Sequence, residues 1–235
     1  MPLIYTVPQN HVVLIKRFGR HSRVQRDGLR FKLPIIESIK NIDPREKKWK
    51  PAGRTALLVA DMQNFFLDQT SHAHIPSGEA IIPNVNRLIR TFDREGYSII
   101  FTRHFNNREN AGMMGKWWND LLERSTPPFE IYDQIEVPDS ALLIDKQHYD
   151  AFSDTGLEEY LVRMDVSSLV ITGVMANLCC ETTLRAAFIK GFETVIPVDA
   201  TAAYNRHYHT STFLNLSLGF APLVTTEEMI DKLKK

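Results

Sequence analysis

The sequence predicts an α/β fold: a three-layer α/β/α sandwich with a mostly parallel sheet between two helical layers, plus a short β-rich N-terminal extension. Three observations carry that prediction. From Thr55 onward, short unbroken apolar runs recur, as strands buried on both faces require. Between them lie stretches with apolar residues three and four apart, the spacing of an amphipathic helix. The two kinds of element alternate instead of segregating, which calls for crossovers between parallel strands.

In chain order, HVVLIKRF (11–18) and LRFKLPII (29–36) read as short strands, with turn-forming sequence around Gly19 and Asp27-Gly28 between them. DPREKKWKPAGR (43–54) combines charge, two prolines and a glycine, the composition of a linker. TALLVA (55–60) is the first buried strand and ends at Asp61. Ile81, Ile82, Val85, Leu88, Ile89 and Phe92 mark a helix. SIIFT (98–102) and ALLID (141–145) are the second and third strands. A helix over 155–164 carries Leu157, Tyr160, Leu161 and Met164 on one face. SLVIT (168–172) is the fourth strand and ends at Gly173. Helix 179–190, strand 193–200, helix 207–218, a short strand near 221–224 and a last helix from Thr226 complete the pattern. Residues 1–50 are thus an extension with its linker, and 51–235 one domain.

Of 235 residues, 43% are apolar and 24% charged, a globular balance that excludes collagenous or disordered chains. No run of about 18 apolar residues is present, so no membrane-spanning helix is expected. MPLIYTVPQN lacks a signal-peptide pattern, and the expected location is cytoplasmic. Lys plus Arg equals Asp plus Glu at 28 each, but residues 1–50 hold 12 basic against 4 acidic side chains, and the remainder is correspondingly acidic. That split reads as a basic segment docking on an acidic body, its own or a neighbour's. No basic-aromatic module supports nucleic acid as a partner. The only cysteines, Cys179 and Cys180, are adjacent, which disfavours a disulfide and suits a reducing compartment.

In a parallel sheet of this kind, ligands bind beyond the carboxyl ends of the strands. Asp61, Arg103, His104, Lys146, residues 173–179, Asp199 and Thr201 all fall on that rim. Cys179 at a helix start would have its thiolate favoured by the helix dipole and by a nearby Lys146. Asp61 would take the thiol proton, and the trio would attack a carbonyl carbon. The residues alone leave two alternatives standing: Cys179 as a small buried apolar side chain, and Lys146–Asp61 as a structural ion pair.

TALLVADMQNFF (55–66), DKQHYDAFSDTGLEEYL (145–161) and VITGVMANLCCETTLRAAFIKGFETVIPVDATAA (170–203) resemble the isochorismatase-like cysteine hydrolases in order and content. The resemblance spans about residues 54–230. It implies a Rossmann-like fold and the catalytic set Cys179, Asp61 and Lys146. It also implies a cis peptide between Val174 and Met175, and an oxyanion hole made by the Met175 and Cys179 N–H groups. Gln63 and Asn177, placed by the same motifs, are expected to bind substrate. The pattern assigns the Cys180 position to the core.

Substrates differ within that family, which includes nicotinamidases, N-carbamoylsarcosine and ureidoacrylate amidohydrolases, and isochorismatases. Nicotinamidases hold a metal on Asp-x-His plus a further His. Here Asp68, His72, His74 and His104 offer the residue types without the spacing, so no metal and no other cofactor is expected. Ether-cleaving isochorismatases have lost the cysteine, whereas this chain keeps it, which favours C–N hydrolysis of a small amide, carbamoyl or ureido compound. In the long stretch 112–135, Trp117 and Trp118 are candidate aromatic walls. Arg103, His104 and Lys116 are candidate partners for a substrate carboxylate. His207 and His209 are assigned to surface or subunit contact. The family implies a homo-oligomer, dimer or tetramer.

VPQNHVVLIKRFGRHSRVQRDGLRFKLPIIESIKNIDPREK (7–47) resembles the start of an SPFH domain, the stomatin/prohibitin module, in its Val-Pro-Gln opening, Arg-Phe-Gly, Asp-Gly-Leu-x-Phe and Pro-Ile-Ile. A complete module is several times longer, so membrane scaffolding is not carried over and membrane contact is not expected. The competing reading from this segment is a non-catalytic interaction protein recruited by its arm. Isochorismate-type ether cleavage is the alternative within the hydrolase family.

Overall fold

The computed structural model describes Trp49 and residues 53–109, 111–118 and 120–234, together with the backbone of five strands nearer the N-terminus. The chain divides into two compact units, Met1–Lys48 and Trp49–Lys235. In the first, β1 (Ile4–Val7) pairs antiparallel with β4 (Gly28–Phe31). There β2 (Val12–Arg17) lies between β3 (Arg20–Gln25) and β5 (Glu37–Ile42), again antiparallel. The end of LRFKLPII, the two expected turns around Gly19 and Asp27, and most of the linker lie outside the described residues.

The second unit runs β6 (Arg54–Ala60), α1 (Asn64–Leu67), α2 (Gly78–Arg94), β7 (Ser98–His104), α3 (Gly112–Trp118), β8 (Leu142–Lys146), α4 (Leu157–Arg163) and β9 (Val166–Val174). A π turn (Ala176–Cys180) follows, then α5 (Glu181–Ile189), β10 (Glu193–Pro197), β11 (Thr201–Ala202), α6 (Arg206–Gly219), β12 (Leu223–Val224) and α7 (Thr226–Leu233). The seven-stranded sheet has the order β12-β10-β9-β6-β7-β8, with β11 beside the end of β9, and every pairing in it is parallel.

Continuous apolar runs form these strands because both faces are covered. On β6, Leu57 and Val59 join a core with Ile99, Phe101 and Val170 under α2 and α7. Ala56, Leu58 and Ala60 join the opposite core with Ile100, Leu169 and Ile171 under α4, α5 and α6. Each buried Val, Leu, Ile or Phe contributes roughly 1.5–3 kcal/mol of hydrophobic stabilisation. At α7, the Thr225 side chain accepts from the Glu228 N–H and Glu228 accepts from the Thr225 N–H, closing both ends of a capping box.

Chain order reverses between β6 and β9: β7 and β8 lie on one side, β10 and β12 on the other. A crevice opens where neighbouring crossovers diverge, at the carboxyl ends of those two strands. There Gly173 has φ +106°, and a Cβ on it would stand 2.2 Å from the Ala60 carbonyl oxygen. Only glycine fits a backbone approach that close.

One expected element is corrected. The helix predicted over 179–190 is interrupted, so Cys179 lies inside the π turn and α5 begins only at Glu181. Hydrophobic spacing does not separate a π turn from the α-helix that continues it.

Candidate active site

Asp61 directly follows β6 in the left-handed region, with φ 50°, a conformation aspartate tolerates better than most side chains. Its N–H donates to the Thr102 carbonyl at 3.1 Å. Its Oδ1 accepts from the Thr102 hydroxyl at 2.6 Å, and its Oδ2 from Lys146 Nζ at 2.7 Å. Lys146 ends β8, two strands away. Its ammonium has three N–H groups and three partners: Asp61 Oδ2, the His148 carbonyl at 3.0 Å and Cys179 Sγ at 3.4 Å. All three side chains are buried, Cys179 being 5% exposed.

Burial pushes the Asp61 carboxyl up, but the Lys146 ammonium, His104 and the bonds from Cys179 and Lys146 hold it below the ordinary carboxylate range. Burial pulls Lys146 down, and Asp61 with Cys179 outweighs it and raises the ammonium. For Cys179, burial and the Asp61 charge raise the thiol to about 12 against the pull of Lys146. Burial and the Asp61 charge thus oppose the thiolate expected from the helix dipole, and the Lys146 ammonium, in contact with both groups, favours it.

His104 ends β7, its Nε2 2.9 Å from Asn106 Oδ1. Burial, then Lys146, lowers it to about 4. The folded protein therefore binds this proton less readily than the unfolded chain, whose histidine titrates near 6.5. Stability is complete above about pH 6.5 and is lost as pH falls toward 4. Urea unfolding is expected to show a slope of up to about 1.4 kcal/mol per pH unit in that window, absent in His104→Asn. A slope that persists in the variant would assign the proton elsewhere.

The loop after β9 brings the remaining candidates together. The Val174–Met175 peptide is cis, and the Met175 carbonyl accepts from the N–H groups of Leu178 and Cys180. Val174 is fully buried in the core. Asn177 Oδ1 is buried and has no partner among the described residues. Cys180 points into the other core, its sulfur 3.9 Å from the Thr172 carbonyl.

Other candidates are engaged elsewhere. The Gln63 amide donates to the His104 and Phe129 carbonyls and accepts from the His104 N–H; it braces the loops, with both donors occupied. Arg103 lies over the Phe129 ring and pairs with Asp145 at 2.8 Å, so its guanidinium already has a carboxylate. Arg124 takes the other Asp145 oxygen at 3.1 Å. A cavity of about 390 Å³ lies beside these groups, lined by Phe105, Arg124, Asp145, Lys146, Gln147, His148 and Asp154. Asp199 caps α7 through Thr226, and Thr201 accepts from His209. Lys116, Trp117 and His207 are exposed. Trp118 donates its indole N–H to the Tyr149 hydroxyl at 2.6 Å.

The metal held by nicotinamidases does not fit these residues. Asp68 accepts from the N–H and hydroxyl of Thr70, and His72 pairs with Asp120. No metal-holding group of three His, Cys, Asp or Glu side chains forms among the described residues.

Three contributors went unselected in the sequence. Thr102 reaches Asp61 only through the register that pairs Ala60 with Thr102. Thr183, the threonine of Cys-x-x-x-Thr, bonds the Tyr149 carbonyl at 3.2 Å and the Ala151 N–H at 3.0 Å, tying α5 to the segment after Lys146. Tyr149 was visible in DKQHYDAF but only as a landmark.

Among known proteins, an isochorismatase domain model matches residues 55–228, and an SPFH domain / Band 7 family model matches 5–88. Nicotinamidase 3 of Arabidopsis thaliana is 38% identical over 74% of this chain and 86% of its own length. N-carbamoylsarcosine amidase of an Arthrobacter species is 29% identical over 61% and 58%. The crystal structure of a cysteine hydrolase from Pseudomonas syringae pv. phaseolicola 1448A superposes with a TM-score of 0.77 at 24% identity, covering 80% of this chain and 96% of that one.

Proposed function

This chain belongs to the isochorismatase family and is a hydrolase; from that premise we propose that it cleaves the C–N bond of a small amide, carbamoyl or ureido compound by way of a thioester on Cys179. The observation that carries the reading is the Lys146 ammonium 2.7 Å from Asp61 and 3.4 Å from the Cys179 sulfur, all three buried. The nicotinamidase and N-carbamoylsarcosine amidase relatives support the amide class.

As Sγ bonds to the carbonyl carbon, the thiol proton passes to Asp61, and Lys146 offsets charge developing on sulfur. The Met175 and Cys179 N–H groups receive the oxyanion. Asn177 Oδ1, buried without a partner among the described residues, accepts from the substrate's N–H. The proton on Asp61 moves to the departing nitrogen, and ammonia or an amine leaves. Water then attacks the thioester, Asp61 takes its proton, and the acid and the free thiol are released. A resting thiol is consistent with this sequence, because the proton needed by the leaving nitrogen starts inside the site.

An ammonia-release screen over primary amides, carbamoyl and ureido compounds tests the reading. Ammonia should form with at least one class and cease once Cys179 is alkylated. Release that continues after complete modification of that thiol would overturn it.

A further inference from the structure

Asp61 is the base in the proposed chemistry, and two donors hold its carboxylate, one at each oxygen. Lys146 Nζ reaches Oδ2 at 2.7 Å, and the Thr102 hydroxyl reaches Oδ1 at 2.6 Å. The second distance is that of a charge-assisted O–H···O⁻ bond, the stronger kind. Asp61 and Thr102 are both buried, so solvent does not stand in for the hydroxyl when it is removed.

The backbone fixes which way that hydroxyl points. Ala60 pairs with Thr102 across β6 and β7, and the Asp61 N–H donates to the Thr102 carbonyl at 3.1 Å. The same N–H lies 3.3 Å from Thr102 Oγ1, which accepts from it. A hydroxyl carries one proton. With its oxygen turned to the N–H, that proton is committed to Oδ1. Threonine is branched at Cβ and has few χ1 choices, so the hydroxyl is held there. A slip of one residue in the register would carry Thr102 to the opposite face of the sheet.

The two carboxylate oxygens are therefore unequal. Oδ1 accepts a proton that belongs to Thr102. Oδ2 is joined through Lys146 Nζ to the Cys179 sulfur, 3.4 Å from that nitrogen. We propose that Thr102 is the positioning residue of the base: its hydroxyl holds the Asp61 carboxylate turned so that Oδ2 exchanges the proton with Cys179 and with the departing nitrogen. This rests on the hydrolase reading. Thr102 gives up no proton itself; the one that leaves the thiol reaches Oδ2 and goes on to the amine. Without the hydroxyl, Oδ1 loses a donor, the ionised form is favoured less, and the carboxyl binds a proton at higher pH.

The test follows Asp61 by carboxyl-carbon NMR across pH in the full chain, its signal assigned by its loss in Asp61→Asn. Besides burial, the groups that act on this carboxyl are Lys146 from β8, His104 from β7 and Cys179 from the π turn, and every Thr102 variant retains them. Thr102→Val replaces the hydroxyl by a methyl, and Thr102→Ala leaves its space empty. Each should raise the titration of Asp61 by about one to two pH units, the effect of one hydrogen bond to a charged group. Thr102→Ser keeps the hydroxyl and should titrate with the parent. In every compound class that releases ammonia, the acid limb of kcat/KM should move by the same amount, because it reports the base of the free enzyme. If Thr102→Val does not fold, Thr102→Ala carries the comparison. A titration unmoved by loss of the hydroxyl, or moved as far in Thr102→Ser, overturns the role of Thr102 and leaves the hydrolase reading standing. A titration that moves while the acid limb stays fixed overturns its part in the reaction. Ammonia release from no compound overturns the hydrolase reading, and the titration still decides whether Thr102 holds the carboxylate.

Discussion

Cys179→Ala is expected to lower turnover by at least about 10⁴-fold, with a thermal midpoint within a few degrees of the parent. Removing a nucleophile abolishes the covalent route, and what remains is rate assistance from binding and oxyanion contacts. Cys180 does not replace it, because its sulfur lies in the opposite core, against the Thr172 carbonyl. The structural cost is small: one sulfur leaves, and a group that burial disfavours as an anion leaves with it. That second effect is measurable. Because the folded thiol is raised to about 12 from an ordinary value of 9, its contribution to stability is complete below about pH 9 and is lost as pH rises toward 12. The alanine variant should therefore lose less stability than the parent between pH 8 and 10.5 in urea unfolding. Turnover above a few per cent of the parent would show that another group attacks the substrate.

The parts of this fold that sequence reveals are those whose cause is local. TALLVA and SLVIT are unbroken apolar runs because helices cover both faces of the sheet, and burial on both faces leaves no polar alternation. Asp61 and Lys146 stand out because a charged residue ending such a run stands on the rim where ligands bind. Strand order is different in kind. The adjacency of β6 and β9, which places Asp61 beside the loop bearing Cys179, depends on crossovers that no window of sequence encodes. Gln63 and Arg103 show the same limit. Each was expected to meet substrate, and the partners that engage them, the Phe129 carbonyl and the Asp145 carboxylate, come from other segments. The thiol shows a related limit: the dipole argument counts a nearby charge, whereas complete burial, visible only in three dimensions, pushes the Cys179 thiol the other way.

Lys146→Met is expected to lower stability by about 3–5 kcal/mol, the cost of leaving one member of a buried ion pair without its partner. Methionine fills similar space but supplies none of the three N–H groups that reach Asp61, His148 and Cys179. Burial pushes the Asp61 carboxyl up, and Lys146 is the largest influence holding it down. Without the cation Asp61 binds a proton at higher pH, so the variant should also fail in turnover, its base already occupied. The decisive comparison is the double variant Lys146→Met/Asp61→Asn, which buries no charge. If the single loss comes from an orphaned carboxylate, the double should unfold at a higher urea concentration than Lys146→Met alone, and remain inactive. If the pair instead contributes like an exposed salt bridge, each single substitution will cost under about 1 kcal/mol and the double will show their sum. That result would contradict a buried Asp61–Lys146–Cys179 cluster and, with it, the route by which the thiol is activated.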